Sequence, residues 1–285
     1  MICEPIEHAL PGLTRRALLA SLATPLLAPS LLGAAKPQAG CQTNAWRIDA
    51  KDPQSFPAIL DKIRGYGYAG FETSFRNFEG RSPDFKSRLS QTGLKLIGVH
   101  IWMPQYGPNG VPETDLMARV ITMGATFGAE RLIISGAPAT AGIGPKTAAI
   151  NAAHQAAKAA GLGFAYHNHG PEVANNAAEL NEILKRTDAP LLLDAGHAYL
   201  GGADPAKFFQ QHHARIAGIH LRDFKARDQV ILGEGEVDYK PLAAAIRSTQ
   251  WSGWVMNEEE RLSDVKPGDS AVAPARAALK KLFGV

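Results

Sequence analysis

The chain has 285 residues, of which 45% are hydrophobic, and a formal net charge of +3. This length suits one large domain, and α/β barrels often occupy it as a single unit. The small positive excess comes without a basic run of the kind that marks nucleic-acid-binding surfaces, so we expect no nucleic-acid partner. With only Cys3 and Cys41 in the chain, cysteine usage says little about the redox compartment.

The first 40 residues have the features of an export signal. Arg15 and Arg16 precede an apolar run from Ala17 to Leu32. That run is shorter than the ~20 residues that a membrane helix needs, so we expect no stable membrane span. The paired arginines resemble the twin-arginine export signal, with cleavage near 35–40, and predict an exported, periplasmic protein. An ordinary amphipathic N-terminal helix is the alternative.

From Cys41 onward, short apolar strands alternate with segments of helical pattern. The predicted strands are 41–46, 69–73, 95–101, 131–135, 162–168, 190–195, 216–221 and 253–259. Helices are predicted between them, with less regular patterns at 81–92 and 204–213. Eight strand–helix units in this length predict a (β/α)8 TIM barrel, a single domain over 41–285. A doubly wound sheet is the alternative, but no G-x-G-x-x-G follows the first strand.

Side chains that can bind a metal collect where the predicted strands end. Barrels of this kind carry their chemistry at the carboxyl ends of the strands. In chain order these residues are Glu72, His100, His167, His169, Asp194, His197, His220 and Glu258. Each of them alone is more often a surface residue or a helix cap. Their coincidence on one rim, however, predicts a metal-centred site.

The predicted metal ligands are His167, Asp194, His220 and Glu258. Mixed imidazole and carboxylate ligands suit one divalent ion such as Mn²⁺, Zn²⁺, Fe²⁺ or Co²⁺ better than Ca²⁺, which prefers oxygen ligands alone. An ion at this position can polarise a carbonyl group and stabilise an enediolate.

Five stretches together resemble a known family in their order and spacing. They are YHNHGPE, LLLDAGHAYLGG, IHLRDF, LGEGEVDY and GWVMNEEE. The resemblance is to the sugar phosphate isomerase/epimerase family, in the xylose isomerase-like group of TIM barrels, and it covers nearly all of 41–285. It implies a divalent-metal-dependent sugar isomerase or epimerase acting on a small sugar or keto-sugar. The reaction would proceed by proton abstraction next to a carbonyl, with a metal-stabilised enediolate.

One position departs from the family pattern. Many ketose epimerases of this group have a glutamate on the fifth strand, which works as a pair with the glutamate of the eighth. Here the fifth-strand residue is His167, so the two-carboxylate pair is not intact, and Glu172 is the nearest further carboxylate. The HNH segment is closer to inosose dehydratase-like and 3-keto-sugar-processing members. A dehydratase or lyase of a keto-sugar or keto-inositol is therefore the alternative.

The remaining site residues are predicted by analogy and by chemistry. The resemblance implies a catalytic role for Glu258, and a histidine can act as base or proton shuttle near neutral pH, which favours His169 and His100. The predicted substrate-binding residues are His197, Glu72, Trp102 and Arg222. Trp46, Trp102 and Tyr199 are aromatic residues that can stack on a sugar ring, although core packing explains each of them equally well.

Two other classes of function stay open. A metal-dependent phosphodiester hydrolase can share this barrel, but it needs a basic groove that the near-balanced charge does not provide. A non-catalytic sugar-binding barrel is the other alternative. The sequence does not identify the sugar, its phosphorylation state or the metal, and it leaves open whether the chain forms a homo-oligomer.

Overall fold

The structure is a computed structural model that describes residues 36–103, 114–136, 142–260 and 268–285. Its strands, in chain order, are β1 (Gln38–Gln42), β2 (Gly70–Ser74), β3 (Lys95–Trp102), β4 (Arg131–Ser135), β5 (Gly163–His167), β6 (Leu191–Asp194), β7 (Ile216–Leu221), β8 (Asp223–Lys225), β9 (Asp228–Val230) and β10 (Trp254–Asn257). Eight parallel strands close into a barrel in the order β1, β10, β7, β6, β5, β4, β3, β2, while β8 and β9 form an antiparallel hairpin. The predicted (β/α)8 TIM barrel is confirmed.

Helices alternate with the barrel strands along the chain. They are α1 (Ser55–Gly65), α2 (Phe85–Thr92), α3 (Thr114–Phe127), α4 (Ile143–Ala159), α5 (Gly170–Arg186), α6 (Ala195–Leu200), α7 (Pro205–His212), α8 (Lys240–Ser248) and α9 (Gly268–Phe283). In α1 the apolar residues Ile59, Leu60 and Ile63 recur at helical spacing and are buried, as expected for a helix with one face on a sheet. The segments 81–92 and 204–213 contain α2 and α7.

The first strand begins earlier than predicted. We expected it over 41–46, but β1 spans Gln38–Gln42 and the chain then enters a 3-10 turn over Thr43–Ala45. The cause is long-range pairing, because Gln38, Ala39 and Gly40 lie opposite residues of β10. The hairpin β8–β9 and the short helix α6 are further elements that the sequence pattern did not predict.

Most of the predicted export signal, residues 1–35, lies outside the described residues, so the signal stays a prediction. In the part of the chain that the structure describes, no helix is both long enough and apolar enough to cross a membrane.

The lower interior of the barrel is filled by an apolar plug. Its members are Ile97, Ile133, Ala165, Leu192, Trp254 and Met256, which form a buried cluster separate from the core between barrel and helices. Glycines on other strands make room for them. A Cβ atom at Gly40 would lie 2.5 Å from both Ile97 Cδ1 and Met256 Cγ. Because alternate residues of a strand face the same side, the residues two positions further along also point into the barrel.

Candidate active site and metal centre

A polar layer lies one step above the apolar plug, towards the carboxyl ends of the strands. It consists of Glu72, His100, Ser135, His167, Asp194, His220 and Glu258. All of these are buried except His100, which is partly exposed. The step of two residues is visible along single strands, from Ala165 to His167 and from Leu192 to Asp194. Above this layer opens a cavity of about 670 Å³.

The four predicted metal ligands converge within the polar layer. One ligand atom from each of His167, Asp194, His220 and Glu258 lies within 4.8 Å of the others. Both ring nitrogens of His167 are buried without a hydrogen-bond partner. His220 Nδ1 and Glu258 Oε2 are 2.5 Å apart, but neither atom meets the geometry of a hydrogen bond. Since buried polar atoms are almost always satisfied, these converging donors fit a divalent cation.

Glu72 holds His220 in the orientation that metal binding requires. His220 Nε2 lies 2.8 Å from Glu72 Oε2, which leaves Nδ1 facing Glu258. Histidines that bind metals commonly donate their other N–H to a carboxylate in this way. Burial alone lowers the pKa of His220, but Glu72 and Glu258 outweigh it and raise the pKa to about 10. Burial alone raises the pKa of Glu72, whereas His220 and His100 bring it below its usual value.

The positions of Glu72 and His100 change the roles that the sequence predicted for them. The sequence places Glu72 against substrate, but the structure buries it fully behind two histidines. His100 Nδ1 lies 3.0 Å from Glu72 Oε1, and His100 Nε2 lies 2.8 Å from Ser135 Oγ. Because both ring nitrogens of His100 are engaged, this geometry favours a positioning role for it over the predicted role as base.

Arg222 clamps the carboxylates of the site. Its Nε donates to Asp194 Oδ2 at 2.8 Å, and its Nη2 lies 2.7 Å from Glu258 Oε1. Its Nη1 donates to Glu260 Oε1 at 2.6 Å. Burial alone raises the pKa of Glu258, but Arg222 and His220 hold it well below its usual value. Arg222 borders the cavity, as its predicted substrate contact requires, yet its guanidinium is already engaged by three carboxylates.

Asp194 is fixed from both sides. Its backbone N–H donates to Asn168 Oδ1 at 3.0 Å, which ties the end of β6 to the end of β5. Its Oδ1 accepts the backbone N–H of His197 at 2.8 Å and so caps α6. Capping is therefore compatible with the predicted metal-ligand role, because the two oxygens of Asp194 face different partners.

His169 presents a ring nitrogen that the protein does not use. It stands at the N-terminus of α5, with its ring centroid 4.9 Å from that of His167 and 5.1 Å from that of His197. Its Nδ1 has no hydrogen-bond partner. Burial and the neighbouring His197 lower the pKa of His169 to about 4. The ring is therefore neutral at neutral pH and able to accept a proton.

Glu172 does not supply a second carboxylate to the site. Its Oε2 accepts the backbone N–H of His169 at 2.7 Å. Its Oε1 lies 3.1 Å from Lys146 Nζ and is also bonded to the hydroxyl of Tyr166. Glu172 thus fixes the first turn of α5, and the site lacks the two-carboxylate pair, as the sequence indicated.

A family model described as xylose isomerase-like TIM barrel matches residues 60–282. The chain belongs to this family. The family resemblance seen in the sequence is therefore confirmed for this xylose isomerase-like barrel.

An inosose dehydratase of Lacticaseibacillus casei is 28% identical over 127 residues, which cover 37% of this chain and 43% of that protein. The match thus spans less than half the length of this curated relative. The structure of an L-ribulose 3-epimerase has a TM-score of 0.75 at 16% identity and covers 87% of this chain and 95% of its own. The zinc-bound IolI protein has a TM-score of 0.70 at 15% identity, and the match covers 87% of this chain and 98% of the IolI chain. At these identities the two solved structures show a shared fold.

Several residues of the cavity in this xylose isomerase-like barrel were not predicted. Asn44 lies in the 3-10 turn that follows β1, and its Nδ2 donates to Glu258 Oε1 at 3.1 Å. Gln229, on β9, donates from Nε2 to the backbone oxygen of Glu258 at 3.0 Å. The strand-end rule could have found Asn44 once β1 was placed correctly. Gln229 lies on the hairpin that the sequence pattern missed. Predicted Trp102 borders the cavity and is 44% exposed.

Proposed function

We propose that this protein is a divalent-metal-dependent sugar isomerase or epimerase that moves a proton on the carbon next to a carbonyl group. The observation that carries this proposal is the convergence of four ligand atoms within 4.8 Å, below an open cavity that contains histidines. The family membership and the epimerase among the fold neighbours support it. The substrate is a small sugar or keto-sugar.

His167, Asp194, His220 and Glu258 would hold the ion. When bound, it would act as a Lewis acid on the carbonyl group of the sugar. The donor set suits Mn²⁺, Zn²⁺, Fe²⁺ or Co²⁺, and the zinc in a fold neighbour supports a divalent ion without deciding which. Arg222 keeps the carboxylates of Asp194 and Glu258 in place through bonds of 2.8 and 2.7 Å.

His169 is the candidate to take the proton from carbon. Its ring borders the cavity and is neutral at neutral pH, because burial and His197 lower its pKa to about 4. Glu258 is less suited to act alone, because Arg222, Asn44 and His220 all face its two oxygens. His197, which also borders the cavity, is placed to bind a hydroxyl group of the sugar.

Dehydration of a keto-sugar or keto-inositol is the second candidate, and two observations favour it. The curated relative with 28% identity is an inosose dehydratase. In addition, Glu172 is engaged by Lys146, Tyr166 and the backbone of His169, so it does not serve as a second carboxylate that returns a proton to the opposite face. A single neutral imidazole suffices to remove the proton next to a carbonyl and to pass it to a departing hydroxide.

The test is proton–deuterium exchange, followed by NMR in D₂O, with the metal-loaded protein and a panel of L-ribulose, D-fructose and a keto-inositol. Exchange at the carbon beside the carbonyl, with a new epimer or isomer, is the expected result. A conjugated product formed with loss of water identifies the dehydratase instead. His169→Asn should abolish both, whereas His154→Asn, on the outer helix α4, should abolish neither. No exchange with any substrate of the panel would contradict the proposal.

We also propose that the protein is exported through the twin-arginine route to the periplasm. The support is the Arg15–Arg16 pair ahead of an apolar run. Cleavage before Gln38 leaves β1 whole. Fractionation of cells that express the full chain should recover the protein in the periplasm. Replacing both arginines with lysine should retain it in the cytoplasm. Equal periplasmic recovery of both forms would contradict this route.

A further inference from the structure

A second, smaller cavity adjoins the main one. It has a volume of about 290 Å³ and is bordered by Thr43, Asn44, Trp46, Ile48, Asn77 and Glu260. Asn44 and Glu260 border the main cavity as well, so the two spaces meet at these residues. Sites that bind small molecules start at about 300 Å³. The second cavity lies at the lower limit of that range, so it suits one part of a ligand that extends from the main cavity.

Trp46 is fixed in this second cavity by contacts that lie outside the metal site. A Cβ atom on Gly268 would lie 2.4 Å from Trp46 Nε1, so the indole ring packs directly on a glycine backbone. Trp46 Nε1 donates to Asp269 Oδ1 at 3.4 Å. Asp269 is itself held by Lys62 Nζ at 2.6 Å and by the Tyr66 hydroxyl at 2.9 Å. The indole is thus a rigid aromatic wall, and rigid aromatic walls bind with little loss of side-chain entropy.

The polar residues of the second cavity are also oriented. Asn77 Nδ2 donates to Thr73 Oγ1 at 2.7 Å, and Thr73 Oγ1 lies 2.7 Å from Thr43 Oγ1. This chain of bonds sets the direction of the Asn77 amide. Glu260 offers a carboxylate on the border between the two cavities and is held there by Arg222. One aromatic wall with amide, hydroxyl and carboxylate groups around it suits a ring that carries hydroxyl groups.

The charge of the second cavity narrows the class of ligand further. None of the described residues that border it is a lysine or an arginine, and the Glu260 carboxylate is already paired with Arg222. A phosphate or carboxylate group would therefore find no cation on the described wall of this cavity to pair with. A neutral ring is favoured.

We propose that Trp46, Asn77 and Glu260 form a second sugar subsite, so that the substrate is a neutral glycoside of two rings. One ring lies above the candidate metal centre and the other lies against Trp46. This inference rests on the proposed action on a sugar, and it specifies the substrate class for that site.

The test is isothermal titration calorimetry of the metal-loaded protein with one-ring and two-ring probes. The one-ring probes are D-glucose, D-galactose and D-fructose. The two-ring probes are cellobiose, maltose, lactose, trehalose and sucrose. At least one two-ring probe should bind about tenfold or more tightly than its constituent one-ring sugars. Trp46→Ala should reduce this affinity ratio about tenfold, and Asn77→Ala should reduce it severalfold. Trp251→Phe is the matched control, because Trp251 lies outside both cavities, and it should leave the ratio unchanged.

Two results would overturn the subsite: no two-ring probe binds more tightly than its one-ring parts, or the ratio is the same in both subsite variants as in the wild type. Asn77→Ala decides the matter if Trp46→Ala does not fold. The outcome is separable from that of the proposed function. If the protein exchanges protons on one-ring keto-sugars but shows no preference for two-ring probes, the proposed function is supported and the subsite is contradicted. If the protein prefers two-ring probes in a way that depends on Trp46 but exchanges no proton on any keto-sugar, the subsite is supported and the proposed function is contradicted.

Discussion

The apolar plug and the polar layer are two neighbouring levels of the same barrel, and they obey opposite rules. On β10 the step from Met256 to Glu258 leads from one level to the other, and on β6 the step from Leu192 to Asp194 does the same. Both levels are almost fully buried. In the apolar plug, burial itself supplies the stabilisation. In the polar layer, burial is unfavourable for each charge and must be offset by the other charges.

The barrel assigns stability and chemistry to different levels. The apolar plug depends on shape, since glycine is needed at Gly40 to admit Met256. The polar layer depends on charge pairing, since Arg222 and His220 offset Glu72, Asp194 and Glu258. Changes in the apolar plug should therefore affect the free energy of unfolding, and changes in the polar layer should affect metal binding first.

The largest effect is expected for His220→Ala, which removes one of the four converging ligands. The affinity for the divalent metal should fall by more than about 100-fold, beyond the ~10–100-fold that is typical of residues behind the ligands. Elemental analysis after dialysis measures this loss, with Mn, Zn, Fe and Co determined together. His154→Ala, on α4 against the Phe164 ring at 5.1 Å, is the control and should retain the metal. Equal metal content in both variants would place the ion elsewhere.

Glu72→Gln should give the next largest effect, because it removes the carboxylate behind His220 and leaves all four ligands present. We expect a ~10–100-fold lower metal affinity. In the wild type, metal must displace the proton of a His220 with a pKa of about 10, so affinity should rise with pH up to that value. The loss of Glu72 lowers the pKa of His220 and should make this rise end at a lower pH. Titration calorimetry at several pH values measures both quantities. An unchanged pH dependence would contradict the pairing of Glu72 with His220.

Glu259 provides a contrast to Glu258 on the same strand end. Burial raises the pKa of Glu259 from 4.5 to about 7. The hydrogen bond that Glu259 accepts from the backbone N–H of Leu232 lowers the pKa, but burial has the larger effect. A carboxyl group of raised pKa stabilises the fold in its protonated form. Its contribution is complete below pH 4.5 and is lost as the pH rises through about 7. Relative to Glu259→Gln, the wild type should lose up to about 3 kcal/mol of stability between pH 5 and pH 8.

Urea unfolding of both proteins across this pH range measures the difference, and groups that titrate in both proteins cancel from it. Glu182→Gln, on the surface of α5 where Arg186 and Lys185 lower the pKa of the carboxyl group, should follow the wild type over this pH range. A constant difference between wild type and Glu259→Gln at all pH values would show that Glu259 is ionised throughout.

The smallest effect is expected for Gly40→Ala in the apolar plug. The added methyl group meets Ile97 and Met256 at 2.5 Å, and overpacking of this kind costs about 1–3 kcal/mol. Metal content should stay at the wild-type level. Gly65→Ala is the matched control, because nothing lies within 4 Å of its Cβ position, and it should be neutral or slightly stabilising. A loss of metal in Gly40→Ala at full stability would contradict the separation of the two levels.

The sequence was sufficient to predict the barrel and to name the four side chains that the structure brings together as candidate metal ligands. His167, Asp194 and His220 were named because they stand where predicted strands end, and the end of a strand is a local property of the sequence. The partners of those residues were not predictable in the same way. The pairing of Glu72 with His220 joins β2 to β7 across the barrel interior, and the bond of Arg222 to Asp194 joins β7 to β6. Neither contact can be recognised from the local pattern of apolar and polar residues in the sequence.

Local signals also failed where the backbone itself is unusual. The hairpin β8–β9 turns at Ala226 and Arg227, which have φ angles of 49° and 75°. Such turns normally use asparagine or glycine, so nothing in the DFKARDQV stretch predicts the turn. The start of β1 was missed for a related reason. Gln38, Ala39 and Gly40 have weak strand propensity, and their conformation is set by pairing with β10.

The closure of the barrel between β1 and β10 sets an order of assembly. Asn44 and Glu258 contact each other although they are 214 positions apart in the chain, and contacts so distant in sequence carry a large loop-closure cost. A growing chain that has emerged as far as β7 already carries His167, Asp194 and His220, but neither Glu258 nor the strand that seals the barrel. Glu258, the fourth predicted ligand, is synthesised directly after β10, the strand that closes the barrel. An ion can therefore meet its complete set of ligands only after synthesis has passed that strand, and a chain truncated before β10 should lack both the closed barrel and the ion.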